Sequence, residues 1–355
     1  MNTIFVDIMS KTDYDAGPKA RNDVAKILGD NGFQKVMIYD RAHGKIGKSI
    51  DLLKALWKMP NNIKNSDIVV IQYPYGLKVM ELLLNKLQRI KKKNKKLQSV
   101  ILIHDVGYLR KGDDKGLYKD IEELQRKEIA VFNQADFIIS HTENMTESLR
   151  RKGVKKQIIN LGPFDYLYEG MMAQNVYTQE RPVVVFAGNL SKGKSRFLYD
   201  YERKKEIEIN VYGKKQEELP KELNYCGSFP PDELISHLSG NYGLVWDGDS
   251  TQTCSGYWGE YLKYNCPHKL SLYIAAGLPV IVWKESALAS YVQELGLGVC
   301  VNNLIEMAES LSGINAENYQ KMRKNVLELR QKLIGGNQIK NVLKEIERQI
   351  NEAEG

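Results

Sequence analysis

The sequence predicts an α/β protein: two Rossmann-like domains facing a central cleft, followed by a helical C-terminal tail. Three observations lead there. The chain has 355 residues, more than one hydrophobic core usually serves. Its apolar fraction of 43% is that of an ordinary globular protein. Short β-branched runs also alternate with longer helical patterns in two successive series, as parallel strands covered by helices on both faces would.

The first series places strands at 3–8, 35–40, 67–75, 99–106 and 136–142, with helices at 18–31, 77–92, 118–134 and 143–152. Residues 157–168 lead into a polar stretch, EGMMAQNVYTQERP, that has no periodicity and marks the crossover. The second series places strands at 182–189, 207–213, 223–229, 242–248, 278–283 and 297–301, with helices at 230–239, 268–276 and 284–294. From about 303 onward the pattern is helical. The expected organisation is therefore a domain at 1–165, a second at 180–330, and a terminal helix at 331–355 able to pack back on the first domain.

Composition narrows the function. The N-terminus has no basic segment followed by an apolar one, so it reads as a first strand and not a signal peptide. No stretch approaches the ~20 apolar residues of a membrane span. Four cysteines lie far apart without a C-x-x-C pair, which suits free thiols in a reducing cytosol and argues against structural zinc. Net charge is +7, and the segment from Lys86 to Lys96 holds seven basic residues and no acidic one. It reads either as a solvated helix end that complements the dipole or as a peripheral contact for anionic lipid headgroups. No aromatic residues are interleaved with it, so nucleic acid is not an expected partner.

Ligands bind outside the carboxyl ends of strands in open α/β sheets, so candidate residues must follow strands. PHKLSLYIAAGLPVIVW (267–283) is the strongest local signal. Pro267 fits a helix opening, Gly277 its left-handed close, and a buried strand follows at once. Lys269 and Ser271, with His268 beside them, then fall in a first turn whose N–H groups and dipole attract phosphate. The dipole disfavours a lysine there unless an anion offsets it, which makes Lys269 a diphosphate ligand; an ordinary exposed lysine is the alternative. FAGNLSKGKSRF (186–197) is a glycine-containing turn after a strand. Gly188 lets backbone approach a ligand, while Asn189, Lys192 and Lys194 can reach phosphate or sugar oxygens. The turn is neither G-x-G-x-x-G nor a P-loop, so dinucleotide and P-loop chemistry gain no support. IHDVGYLR (103–110) places His104 and Asp105 at a strand end, as a base and its orienting partner or as a loop cap beside a core histidine.

Taken together these segments resemble a bacterial GT-B glycosyltransferase family. It includes streptococcal glucosyltransferases that extend GlcNAc on serine-rich-repeat adhesins, and β-1,6-galactofuranosyltransferases of polysaccharide assembly. The resemblance runs through most of the chain and is clearest in IHDV, the FAGN turn, VYG, GLVWDGDS and HKLSLYIAAGLPVIVW. NCPHKLSLYIAAGLPVIVWKESALA, and WDGDS followed by SGYWGEYLKYN, are more similar to the galactofuranosyltransferase branch.

The resemblance implies a UDP-sugar as substrate, no cofactor or metal, and homo-oligomerisation. It puts Lys269 on the diphosphate, Tyr212 of VYG near the uridine, and Lys192 where the glucosyltransferases carry arginine; a lysine supplies a point charge where arginine offers a fork. Tyr212 reads equally as packing at a strand end. Asp247 and Asp249 form a D-x-D, the metal signature of the other glycosyltransferase architecture. With basic groups nearby, a turn or a hydroxyl-binding pair is the expectation instead. In GT-B proteins the loop after the first strand faces donor or acceptor, which adds Asp13, Gly17 and Lys19. The reading that results is an inverting, metal-independent hexosyltransferase in the cytoplasm, with UDP-galactofuranose first and UDP-glucose second as donor. Its acceptor would be a free glycan or a lipid-linked or protein-linked sugar. The alternative from another class is a catalytically silent sugar-binding subunit.

Overall fold

The computed structural model describes residues 3–9, 16–39, 67–110, 120–201 and 207–354. They fall into two compact units. The first takes in the described residues of Met1–Asp13, Arg21–Gly162 and Ile339–Gly355, and the second those of Tyr14–Ala20 and Pro163–Gln338.

The first unit is built on six parallel strands in the order β2-β1-β3-β4-β5-β6. They are β1 (Thr3–Met9), β2 (Gln34–Tyr39), β3 (Ile68–Tyr73), β4 (Gln98–Ile103), β5 (Phe137–Ser140) and β6 (Gln157–Asn160). Every residue of β3 is buried, as expected for a strand flanked on both sides in a sheet covered on both faces. Helices α1 (Ala16–Asp30), α2 (Leu77–Lys91), α3 (Ile121–Phe132) and α4 (Glu143–Arg151) connect the strands. Asp120 caps α3 by accepting from the backbone N–H groups of Glu122 (2.9 Å) and Glu123 (3.2 Å). Thr142 caps α4 through Met145 N–H at 3.2 Å. These caps satisfy first-turn donors and fix where each helix begins.

The second unit holds six parallel strands in the order β12-β11-β10-β7-β8-β9. They are β7 (Val183–Ala187), β8 (Glu208–Tyr212), β9 (Asn224–Tyr225), β10 (Tyr242–Val245), β11 (Val280–Trp283) and β12 (Gly298–Val301). Alternate side chains of β7 enter opposite cores: Val184 and Phe186 go to one, Val185 and Ala187 to the other. Around the sheet lie α5 (Pro231–His237), α6 (His268–Ala275), α7 (Ala289–Glu294), α8 (Leu304–Ser312) and α9 (Ala316–Ile334). The chain ends with α10 (Asn337–Glu354), most of which groups with the first unit.

Three boundaries differ most from the sequence reading. The strand expected at 223–229 is only Asn224–Tyr225, because Gly227 takes φ +107° and Pro231 opens a helix soon after. The helix expected from 284 begins at Ala289. The boundary at 330/331 falls inside α9, and the true break is Gly335–Gly336, where Gly336 has φ +73°. Segments 10–15 and 40–66 lie outside the described residues, and Asp13 with them. Among the described residues no helix is long and apolar enough to cross a membrane.

Strand order fixes where a ligand belongs. In the second sheet the order reverses between β7 and β10, and in the first between β1 and β3. Neighbouring strands at such a point send their connections to opposite faces, leaving a crevice at their carboxyl ends.

Candidate active site

In the second unit the crevice rule points to the ends of β7 and β10, at Ala187 and Val245. Gly188 follows the first and Trp246–Asp247 the second. Helix α6 opens from Pro267, with Lys269 in its first turn. The Lys269 Nζ donates to Asp247 Oδ1 at 2.5 Å and to the Trp246 carbonyl at 3.1 Å. It also lies 4.6 Å from the centre of the Phe186 ring. The pair is enclosed, with side chains 12% and 9% exposed for lysine and aspartate. Burial pulls the Lys269 pKa down, the Asp247 charge opposes that, and Lys194 adds to the depression.

Glycine gives this site its room. A Cβ on residue 188 would sit 3.0 Å from Lys269 Cε. One on Gly213 would meet the Gly188 carbonyl oxygen at 2.0 Å, so the turns after β7 and β8 close directly on each other. The loop after β10 is pinned to its neighbour: Gly248 N–H donates to the Lys194 carbonyl (3.2 Å) and Phe197 N–H to the Gly248 carbonyl (3.3 Å). Lys194 Nζ lies 4.4 Å from the Trp258 ring centre. On the rim, Asn189 Oδ1 accepts from Ser191 N–H at 2.8 Å. Lys192 is exposed, with its Nζ 5.0 Å from the Tyr199 ring centre. Gly188, Asn189, Lys192, Asp247 and Lys269 thus gather at one end of one sheet. Asp249 stands apart and exposed, its carboxylate against Gly256.

Three expectations need correction. Ser271 lies two residues beyond Lys269, which turns it about 200° around the helix; it is fully buried and its Oγ has no hydrogen-bond partner among the described residues. His268 turns its ring onto Tyr166, with centroids 5.0 Å apart, and its enclosed Nε2 has no partner among the described residues. Burial, with the Lys19 charge beside it, lowers its pKa to about 4, so the ring is neutral packing and not a phosphate ligand. Tyr212 is 2% exposed. Its hydroxyl donates to the His237 carbonyl and accepts from Ser239 N–H, both at 2.9 Å. Burial pushes its pKa up to about 12. The packing reading of Tyr212 is the one the structure supports, with no ring face for a base.

In the first unit β4 ends at Ile103, and His104 and Asp105 follow it. His104 Nε2 lies 2.7 Å from Gln72 Oε1. Asp105 is 40% exposed, with its Oδ2 3.3 Å from Arg110 Nη1. Behind it sits buried His141, whose Nε2 lies 2.9 Å from the Ile103 carbonyl. Burial lowers the His141 pKa and the Asp105 charge opposes that shift. Gly17 is in the first turn of α1. Two residues on, Lys19 donates to the Leu167 carbonyl and pairs with Asp232, both at 2.8 Å.

Sequence reasoning missed what holds the 104–110 loop. Glu128 is buried on α3. Its Oε1 accepts from the Tyr73 hydroxyl (2.5 Å) and Gly107 N–H (2.9 Å), and its Oε2 from Tyr108 N–H (2.8 Å). Burial raises its pKa, and those donors and Arg110 oppose the rise. A signal was present: Glu128 falls in the apolar stripe of Leu124, Val131 and Phe132, where a carboxylate needs a buried partner.

The family models described as Glucosyltransferase 3-like, N-terminal domain, and Glucosyltransferase 3-like, C-terminal domain, match residues 3–163 and 184–346. β-1,6-galactofuranosyltransferase WbbI of Escherichia coli (strain K12) is 30% identical over 346 residues, 96% of this chain and 97% of that protein. Glucosyltransferase 3 of Streptococcus parasanguinis is 28% identical over 311 residues, 86% of this chain and 84% of that protein. Among solved structures, sucrose-phosphate synthase from Thermosynechococcus elongatus matches with a TM-score of 0.64 at 13% identity, covering 99% of this chain and 100% of the other. The lipopolysaccharide outer core galactosyltransferase WaaB gives 0.62 at 11% identity, covering 98% and 100%. At such identities the structural likeness is one of fold, the GT-B type.

Proposed function

This chain belongs to the glucosyltransferase 3-like family of GT-B glycosyltransferases, and on that premise we propose that it moves a hexosyl group from a UDP-sugar to a hydroxyl of a glycan or polysaccharide precursor. Galactofuranose is the favoured sugar, because the galactofuranosyltransferase relative aligns over nearly the whole chain; UDP-glucose is second. One observation carries the reading: the Lys269 ammonium stands in the first turn of α6, beside Gly188, where the second sheet's order reverses. That is where a diphosphate finds N–H donors, a helix dipole and a fixed cation together.

In this reading the acceptor oxygen attacks the anomeric carbon from the face opposite the leaving group, and the bond from that carbon to the β-phosphate oxygen breaks with inversion. Asp105 takes the acceptor proton, since its carboxylate is open to solvent while His104 is engaged by Gln72. Negative charge gathers on the departing UDP, and Lys269 with the α6 N-terminus stabilises it; such preorganised electrostatics is usually the largest catalytic term. The basic groups perform the neutralisation that a divalent metal performs elsewhere, so the reaction is proposed to need no metal.

The test is UDP release from UDP-galactofuranose, UDP-glucose and UDP-galactopyranose, each with and without a glycan acceptor. Acceptor-dependent release, fastest with UDP-galactofuranose, is expected. Sugar binding without release from any donor would leave a silent binding subunit and end the proposal. In calorimetry Lys269→Ala should lose about 10-fold to 100-fold in UDP affinity, the worth of one charge-assisted hydrogen bond. Wild-type affinity in that variant would remove the site.

A further inference from the structure

The strands of the first sheet begin at the end opposite Asp105, and two of the loops that enter them are strongly basic. Residues 91–96, leading into β4, hold five lysines; residues 150–156, leading into β6, hold five lysines and arginines; neither has an acidic residue. The helix dipoles explain part of this, because α2 and α4 both end here. Each helix end carries about half a negative charge, which accounts for a cation or two and not for ten.

The fold brings the two loops together around a cavity of about 310 Å³ lined by Lys91, Lys92 and Lys156 along with Leu87 and Leu97. Its acidic lining residue, Asp136, is already committed. Its Oδ1 pairs with Lys91 at 2.6 Å, and its Oδ2 accepts from the backbone N–H and the hydroxyl of Ser99, both at 2.9 Å. Among the described residues no carboxylate lies within ion-pair distance of Lys92 or Lys156.

We propose that this end of the first unit docks on an anionic lipid bilayer, with the cavity between the two loops receiving a phosphate-bearing headgroup. Leu97 and Val154 point inward and no apolar side chain is offered as an anchor, so the contact is electrostatic and reversible. Lysines dominate the face, and as compact point charges they suit headgroups better than they suit paired bases. Neither loop has an aromatic residue on which a nucleic-acid base could stack. The placement also limits the acceptor, in the one step that rests on the proposed transfer. Six residues of β4 separate this face from Asp105, a span of about 20 Å. A docked enzyme therefore works on sugars that stand off the bilayer, at the growing end of a glycan, and not on one joined directly to the lipid phosphate.

Sedimentation of the full chain with vesicles of phosphatidylcholine, with and without phosphatidylglycerol, tests the contact. Binding only to the phosphatidylglycerol vesicles is expected, and it should be lost as salt shortens the screening length. Lys92→Glu with Lys93→Glu, and separately Lys155→Glu with Lys156→Glu, should each weaken partitioning by about 10-fold or more, at about 1 kcal/mol per lysine before reversal. UDP affinity should stay at the wild-type value in both. Equal binding to neutral vesicles, or wild-type partitioning in both variants, would overturn the proposal. So would release of vesicle-bound protein by a single-stranded oligonucleotide at physiological salt, which would make nucleic acid the occupant. An enzyme that docks but transfers no hexose would refute the proposed function and leave the docking face standing.

Discussion

Lys269 carries a charge that its surroundings oppose, and Asp247 is what keeps it there. Burial and Lys194 lower the lysine's pKa, while the carboxylate 2.5 Å away raises it. In the proposed function the carboxylate also occupies a hydrogen bond that a diphosphate would take, so it would both sustain the cation and compete for it. Asp247→Asn should separate these effects. At mildly acidic pH, UDP should bind the variant more tightly, because the competitor has gone. As pH rises, the variant should lose affinity earlier than wild type, because an unsupported buried lysine releases its proton more easily. Calorimetric titration of UDP across that range decides it, and superimposable profiles would refute the coupling. Gly188→Ala acts on the same atom from the other side: its methyl would meet Lys269 Cε at 3.0 Å. UDP affinity should fall and the melting temperature with it, since alanine is strained at the φ of +159° that Gly188 holds, and an unchanged affinity would mean the lysine moves aside freely. Both residues were visible in the sequence as separate motifs. The pairing of Asp247 with Lys269 was not, since they stand 22 positions apart in the connection from β10 to β11 and only the folding of that connection brings the start of α6 back to the end of β10.

Elements were legible where period and punctuation agreed. Pro267 and Gly277 bracketed α6 to within a residue, and α2 and α4 followed their apolar stripes. The misses lay where long-range contacts decide. The helix α3 illustrates this, because its Glu128 serves other elements as well as its own. One carboxylate joins the end of β3, through Tyr73, to the loop after β4, through Gly107 and Tyr108. That loop carries Asp105 and its partner Arg110. Glu128→Gln keeps the volume but turns an amide NH₂ toward groups that themselves donate. A buried donor left unmet costs about 1–3 kcal/mol, so the variant should melt earlier. It should also lose kcat, as the Asp105 loop loosens, while UDP affinity stays near wild type because the residues proposed to hold the nucleotide belong to the other unit. Wild-type stability would show that the network is incidental. Reduced UDP affinity together with reduced kcat would show a general loosening, against a positioning role.

Across the whole molecule, each unit encloses a histidine whose pKa burial lowers: His141 in the first and His268 in the second. The alternation of apolar runs announced two sheets of parallel strands, but which of the five histidines would be enclosed depended on packing that no local pattern encodes. The enclosure has a thermodynamic consequence. The folded second unit binds a proton at His268 only near pH 4, whereas an unfolded histidine does so at about 6.5. Between those values the unfolded chain holds more protons, so stability rises with pH across the window and is lost as pH falls through it. His141 contributes in the same direction, although Asp105 offsets part of its shift. Glu128 acts in the opposite sense, because its raised pKa lets the folded first unit take up a proton more readily than the unfolded chain does. The second unit is therefore where acid should act most plainly. Trp246, Trp258 and Trp283, three of the chain's four tryptophans, report on that unit. Tryptophan-monitored denaturation should lose stability steadily from neutral pH toward pH 4 in the wild type. In His268→Asn, which keeps a donor for the Asp165 carbonyl but cannot titrate, the slope in that window should flatten even if the variant is less stable overall. An identical slope in the two proteins would mean that carboxylates elsewhere, and not the enclosed ring, set the acid sensitivity.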